Sequence, residues 1–173
     1  LSKRIITSPT LEPLIWPASG IALAGVLLYG PRVWPAIALG TMMIAYPFSG
    51  ALEFLAALGA AFGNVIEPVL AWAIFRRLQF SKSFLNSRSI LIYFLTLAAV
   101  TPIGASINAL VLHSFYSPPE FSGEFPAGLQ GIWVKWWFGD LLGYIIVTPM
   151  ILSWANWKSR SWPRFSPFDL AAL

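Results

Sequence analysis

The run 51–75 is apolar almost throughout, stops at Arg76-Arg77, and yet holds a glutamate, Glu67. As a helix rising 1.5 Å per residue it extends about 38 Å, enough to cross a hydrocarbon core of about 30 Å. A charged carboxylate in such a place costs at least ~2.5 kcal/mol on insertion scales. A partner helix, a proton or a ligand has to offset that cost. The chain is therefore constrained to a membrane fold, and within that fold one polar group requires an explanation.

Composition agrees. Of 173 residues, 57% are hydrophobic and 10% charged, against about 25% charged in a soluble domain, and mean hydropathy is +0.70. The net charge of +4 is no nucleic-acid signature, because the basic residues sit in short clusters between apolar runs, as in positive-inside loops. With no cysteine and a single histidine, His113, neither a disulfide nor a thiolate or histidine-rich metal site is available, and no metal or cofactor is expected. Residues 1–13 lack the apolar core and small-residue cleavage site of a signal peptide.

Five spans are predicted, at 14–29, 33–46, 51–75, 89–115 and 131–154. The runs are continuously apolar rather than alternating, so helices are preferred to barrel strands. The fold class is all-α: one polytopic transmembrane helical bundle, without internal repeats. Gly30-Pro31-Arg32 and Pro47-Phe48-Ser49-Gly50 mark turns, and the prolines and glycine of 117–126 forbid a regular helix there. Prolines 35, 68, 102 and 149 lie inside spans and imply kinks.

Basic residues set the orientation. Arg76, Arg77, Lys82 and Arg88 place the loop 76–88 in the cytoplasm, and Lys158, Arg160 and Arg164 agree in parity, as does Arg32. The loop 116–128, with Glu120 and Glu124, then faces outward. Lys3 and Arg4 disagree, and the stronger loop outweighs them. An outward start without a signal peptide, together with a helix-like opening at 168–173, suggests a fragment of a longer membrane domain.

The polar residues inside the spans form two groups. Asn64 and Glu67 are three apart and share a helix face. Gly59 and Gly63 precede them as a small-xxx-small pair that admits a close neighbouring helix. On the fifth span Trp133, Trp136, Trp137 and Asp140 share another face, with Asp140 about 12–14 Å below the outer surface. Ser106, Asn108, Ser19 and Trp16 fall in the same outer half. Trp16, Asn108, Trp137 and Asp140 are therefore expected to line a cavity opening outward. A packing role competes for each of these. Glu67 can be a protonated carboxyl bonded to a neighbouring helix, Asn108 and Ser106 can join helices, and Trp133 and Trp136 can belong to an interfacial belt. No paired acids, His-Glu motif or glycine-rich phosphate loop suggests catalysis.

Three stretches resemble the MASE1 family of integral-membrane sensory domains. They are Trp16-Pro17-Ala18-Ser19-Gly20 continuing to Gly30-Pro31-Arg32-Val33-Trp34-Pro35, Gly63-Asn64-Val65-Ile66-Glu67 running to Arg76-Arg77, and Trp137-Phe138-Gly139-Asp140-Leu141-Leu142-Gly143 through Thr148-Pro149. Their order and spacing match over most of the chain, although Pro68 departs from the pattern and the family usually has more helices than five. The resemblance implies a sensory input domain in the inner membrane of a bacterium, itself no enzyme. A diguanylate cyclase, phosphodiesterase or histidine kinase would follow in the same polypeptide. Ligand or signalling candidates are Trp16, Ser19, Asn64, Glu67, Asn108, Trp137 and Asp140, and packing candidates are Gly59, Gly63, Gly139 and Gly143. The partners implied are the lipid bilayer, a small-molecule ligand or membrane protein, the cytoplasmic output domain and a second copy of the chain, with no nucleic acid. A solute-binding or transport protein is the alternative, since intramembrane acids and kinked helices suit it too. A purely structural anchor is the third reading.

Overall fold

The computed structural model describes residues 15–45, 50–82, 84, 86–115 and 129–157. The turn at Pro47-Phe48-Ser49, the stretch 116–128, the basic residues Lys3, Arg4, Lys158, Arg160 and Arg164, and the expected helix opening at 168–173 lie outside the described residues.

The described elements are helical. They are α1 (Pro17–Tyr29), α2 (Trp34–Ala45), α3 (Ala51–Arg77), α4 (Ser87–Phe115) and α5 (Leu129–Trp157), and a short 3-10 turn, Pro31–Val33, joins the first two. Helices α3, α4 and α5 have 27, 29 and 29 residues and are long and apolar enough to cross a membrane. They run on through Pro68, Pro102 and Pro149. Helices α1 and α2 have 13 and 12 described residues, about 20 and 18 Å. The five predicted spans appear as five helices, three of them long and apolar enough to cross a membrane. The break between α1 and α2 has a local cause: Gly30, with φ at 83°, occupies the left-handed region where glycine is favoured, and Pro31 cannot donate back to α1.

Helix α3 packs on α4, α4 on α5, α5 on α1 and α1 on α3, closing a four-helix ring, while α2 lies against α3. Helix α1 enters beside the middle of α5. The Trp16 amide donates to the Gly139 carbonyl at 3.0 Å, and the Thr148 hydroxyl donates to the Gly20 carbonyl at 2.9 Å. The two helices therefore run in the same direction, with α1 starting about 15 Å below the N-terminal end of α5. At its far end the Lys82 ammonium donates to the Leu27 carbonyl, tying α1 to the α3–α4 loop.

The ring is built inside-out relative to a soluble bundle. Its buried stripes are rich in small and polar residues: Ala56, Ala57, Ala60, Gly63, Glu67 and Ala71 on α3, and Thr96, Thr101, Gly104, Ala105 and Asn108 on α4. Leu52, Leu55, Leu58 and Phe62 of α3, and Leu91, Leu95 and Leu110 of α4, are exposed. Lipid is as apolar as leucine, so association in a membrane comes from close packing of small residues and from interhelical hydrogen bonds. Larger core residues gather toward one end, where Leu23, Leu27, Phe75, Tyr93, Leu97 and Leu152 meet.

That end is locked by the chain reversal after α3. The Phe80 amide donates to the Phe75 carbonyl at 2.9 Å, and the Gln79 amide to the Arg76 carbonyl at 3.4 Å. Gln79 takes the left-handed conformation at φ 54°. This is a Schellman motif, including its usual apolar contact, here the stacked rings of Phe75 and Phe80 at 4.6 Å. Tyr93 stacks on Phe75 and Phe80 at 5.6 and 5.7 Å and meets Phe84 edge-on at 4.9 Å. The Asn86 side chain then opens α4 by accepting from the Ser89 amide at 2.7 Å. A left-handed residue other than glycine costs about 1–2 kcal/mol, and glycine's larger entropy loss returns about 0.5–1 kcal/mol of that. Gln79→Gly is therefore expected to raise the thermal unfolding midpoint in detergent, and Gln79→Val to lower it. Equal midpoints for all three proteins would show that the motif contributes no stability.

Candidate functional site

Glu67 is 2% exposed and Tyr144 1% exposed. They come from helices that face each other across the ring, and the Tyr144 hydroxyl donates to Glu67 Oε2 at 2.7 Å. The intervening helix permits this because Gly104 has no side chain. A Cβ placed on Gly104 would fall inside the Glu67 carboxyl, overlapping its Oε1, Cδ and Cγ atoms. One carboxyl oxygen is thus paired and the other, Oε1, has no hydrogen-bond partner, although the Gly104 and Ala105 amides lie close by. The cost identified from the sequence is met in part by a tyrosine on another helix.

Tyr144 is held from its other end as well. Its backbone carbonyl accepts a hydrogen bond from the buried Tyr93 hydroxyl at 2.6 Å. Tyr93 in turn is the hub of the aromatic cluster at the α3–α4 loop. The buried carboxyl therefore connects, through two tyrosines, to the end of the bundle where α3, α4 and α1 are tied together.

One turn from Glu67, Asn64 accepts from the Asn108 amide at 2.7 Å and donates to the Thr41 hydroxyl at 3.2 Å, bridging α2, α3 and α4. The Asn108 carbonyl oxygen packs on Gly63, where an added Cβ would stand 2.6 Å from it, and it has no donor. Gly59 does the same for Val111, 2.7 Å from an added Cβ. Both glycines of the small-residue pair thus face α4.

One turn before Tyr144 on α5, Asp140 is 2% exposed and accepts from the Ser19 hydroxyl of α1, while its Oδ2 has no partner. Beside it the helices touch backbone to backbone. A Cβ on Gly143 would overlap the Trp16 carbonyl oxygen, and one on Gly20 would overlap the Gly143 carbonyl oxygen. Gly139 is looser, with an added Cβ 3.6 Å from Trp16 Cβ. Trp16 and Trp136 rings lie 6.2 Å apart. The other tryptophans tie α5 to α4: the Trp137 ring N–H donates to Thr101 Oγ1 at 3.1 Å and that of Trp133 to Ser106 Oγ at 2.9 Å, and the two rings stack at 5.5 Å.

A buried carboxyl with one donor and one bare oxygen is only partly compensated for its burial. A hydrogen bond to a charged group stabilises by about 1.5–3 kcal/mol, and an unmade one costs about 1–3 kcal/mol. The same holds for Asp140 and Asn108, each with a buried acceptor lacking a donor.

The MASE1 family model matches residues 1–173. The chain belongs to the MASE1 family. MASE1 domains are membrane-associated sensory domains of signalling proteins. No curated protein and no solved structure matched the chain.

In this MASE1 domain the residues singled out from the sequence fall at three interfaces. Asn64, Asn108, Gly59 and Gly63 lie between α3 and α4, Trp137 lies between α4 and α5, and Trp16, Ser19, Asp140, Gly139 and Gly143 lie between α1 and α5. Glu67 and Asp140 do not pair with each other. Residue types and spacing pointed to neither Tyr144 nor Gly104 as the partners of Glu67. A usable signal existed for Tyr144, which follows Asp140 by four residues and so shares its face.

Proposed function

We propose that this MASE1 domain is the input module of a bacterial inner-membrane signalling protein and has no catalytic group of its own. A change at the buried Glu67–Tyr144 pair alters helix packing. The altered packing passes to a cytoplasmic output domain in the same polypeptide, a diguanylate cyclase, a phosphodiesterase or a histidine kinase. One observation carries the reading: a half-satisfied carboxyl in the middle of the bundle is linked by Tyr144 and Tyr93 to the α3–α4 loop. A ligand or partner protein acts there only if it favours one packing over the other. The bare acceptors on Glu67, Asp140 and Asn108 suit a ligand that donates hydrogen bonds.

The loop 76–88 and the segment 158–167 are read as cytoplasmic and the loop 116–128 as periplasmic. Lys82 joins the α3–α4 loop to the end of α1, which gathers Arg32 with Arg76, Arg77, Lys82 and Arg88, and this supports the orientation.

Glu67→Gln and Asp140→Asn in the full-length signalling protein are expected to shift its output at least several-fold at unchanged membrane abundance. Normal signalling by both variants would make the carboxyls structural. The rival reading, a solute transporter, predicts uptake of labelled solute by liposomes carrying the domain, and such uptake would replace this proposal.

A further inference from the structure

The end of α3 carries a second feature that the Glu67 site does not use. Arg76 and Arg77 are both exposed, and with Trp72 and Ala73 they line a shallow, open cleft along one face of α3. Arginines in a last helical turn commonly serve the helix terminus, bonding its carbonyls and complementing its dipole. Here the carbonyls of Ile74, Phe75 and Arg76 already accept backbone amides from Leu78, Phe80 and Gln79. The guanidinium donors are not needed for capping. Arg76 is instead held over the Trp72 ring, 5.3 Å from its centroid, an arrangement that fixes a cation at the helix surface.

The surroundings contain no competing anion among the described residues. The three described acids are Glu53, in the first turn of α3 at its opposite end, and the buried Glu67 and Asp140. Lys82 is engaged with the Leu27 carbonyl, so the two arginines are the cations that face the cleft. The same helix, Ala51–Arg77, is long and apolar enough to cross a membrane. A molecule seated here would have an anionic group against Arg76 and Arg77 and an apolar part along Trp72 and Ala73.

We propose that this cleft binds the phosphate headgroup of an anionic membrane lipid. The paired guanidinium forks match phosphate oxygens bidentately, which two ammonium groups would not. Trp72 marks the level where headgroup gives way to acyl chain. The proposal is independent of what the Glu67 site senses.

Native mass spectrometry of the purified protein, released from detergent containing equal phosphatidylglycerol and phosphatidylcholine, tests it. The wild type is expected to retain phosphatidylglycerol at least five-fold over phosphatidylcholine. The exposed Arg88→Gln serves as a control of equal charge loss and should keep that preference. Arg76→Gln/Arg77→Gln should abolish it, and Arg76→Lys/Arg77→Lys should lose most of it. Retention equal to wild type in the glutamine variant would overturn the site. Retention equal to wild type in the lysine variant would reduce it to general charge attraction and overturn the bidentate assignment. Displacement of the lipid by millimolar inorganic phosphate would show a free-phosphate site and overturn the lipid assignment.

Discussion

Gly143→Ala is expected to dislodge α1 from α5. The new methyl would overlap the Trp16 carbonyl oxygen, and the reciprocal change, Gly20→Ala, would overlap the Gly143 carbonyl oxygen and stand 2.6 Å from Val147 Cβ. In both cases the obstacle is helix backbone, which cannot rotate aside as a side-chain tip can. The helices must separate, and three contacts depend on their closeness: Ser19 with Asp140, Trp16 with Gly139 and Thr148 with Gly20. Overpacking costs about 1–3 kcal/mol, and interhelical hydrogen bonds in membranes contribute about 0.6 kcal/mol each. The sum, about 3–5 kcal/mol, should lower the thermal midpoint in detergent by on the order of 10 °C. Gly139→Ala, with its looser surroundings, should change little. Equal midpoints for Gly143→Ala and wild type would mean that α1 does not cross α5 on these residues.

The second large effect concerns Gly104. Its alanine variant sets a methyl where the Glu67 carboxyl lies, so the carboxyl must leave the Tyr144 hydroxyl. The expected loss is about 1–3 kcal/mol for overpacking and about 1.5–3 kcal/mol more if the broken bond involves the charged form. Glu67→Ala removes the obstruction. The double variant Gly104→Ala/Glu67→Ala should therefore be more stable than the sum of the single changes allows, with a coupling of about 1–3 kcal/mol. Unfolding midpoints of the four proteins give the coupling directly. Additivity within about 0.5 kcal/mol would show that Gly104 and Glu67 are not in contact.

These two sites also show what the sequence discloses and what it conceals. Long apolar runs located α3, α4 and α5 closely, because spanning a bilayer fixes length and composition together. Asn64 and Glu67 do share a face, and Gly59, Gly63 and Gly143 do sit at close helix crossings, since both follow from helical periodicity and residue size. The break between α1 and α2 was legible as well: Gly30-Pro31-Arg32 marks a turn in the sequence, and α1 ends at Tyr29 as the predicted span does. The partners of Glu67 were concealed. Tyrosine and glycine inside an apolar run read as ordinary membrane residues. Their meeting with Glu67 depends on the rotation and depth of three helices, which no local pattern specifies. The four residues expected around an outward cavity fall at three interfaces: Trp16 and Asp140 between α1 and α5, Trp137 between α4 and α5, and Asn108 between α3 and α4.

Glu67→Gln keeps the size of the side chain but exchanges the carboxyl acceptor of Tyr144 for a weaker amide acceptor, whereas Tyr144→Phe removes the donor and little else. Together they isolate the link between the carboxyl and the loop end of the bundle. The most direct measurement is the output activity of the full-length signalling protein carrying Tyr144→Phe, Glu67→Gln or both, at matched membrane abundance. The account predicts that each single variant shifts the output and that the double variant resembles one of the singles, because both act through one hydrogen bond. Wild-type output from all three would contradict it.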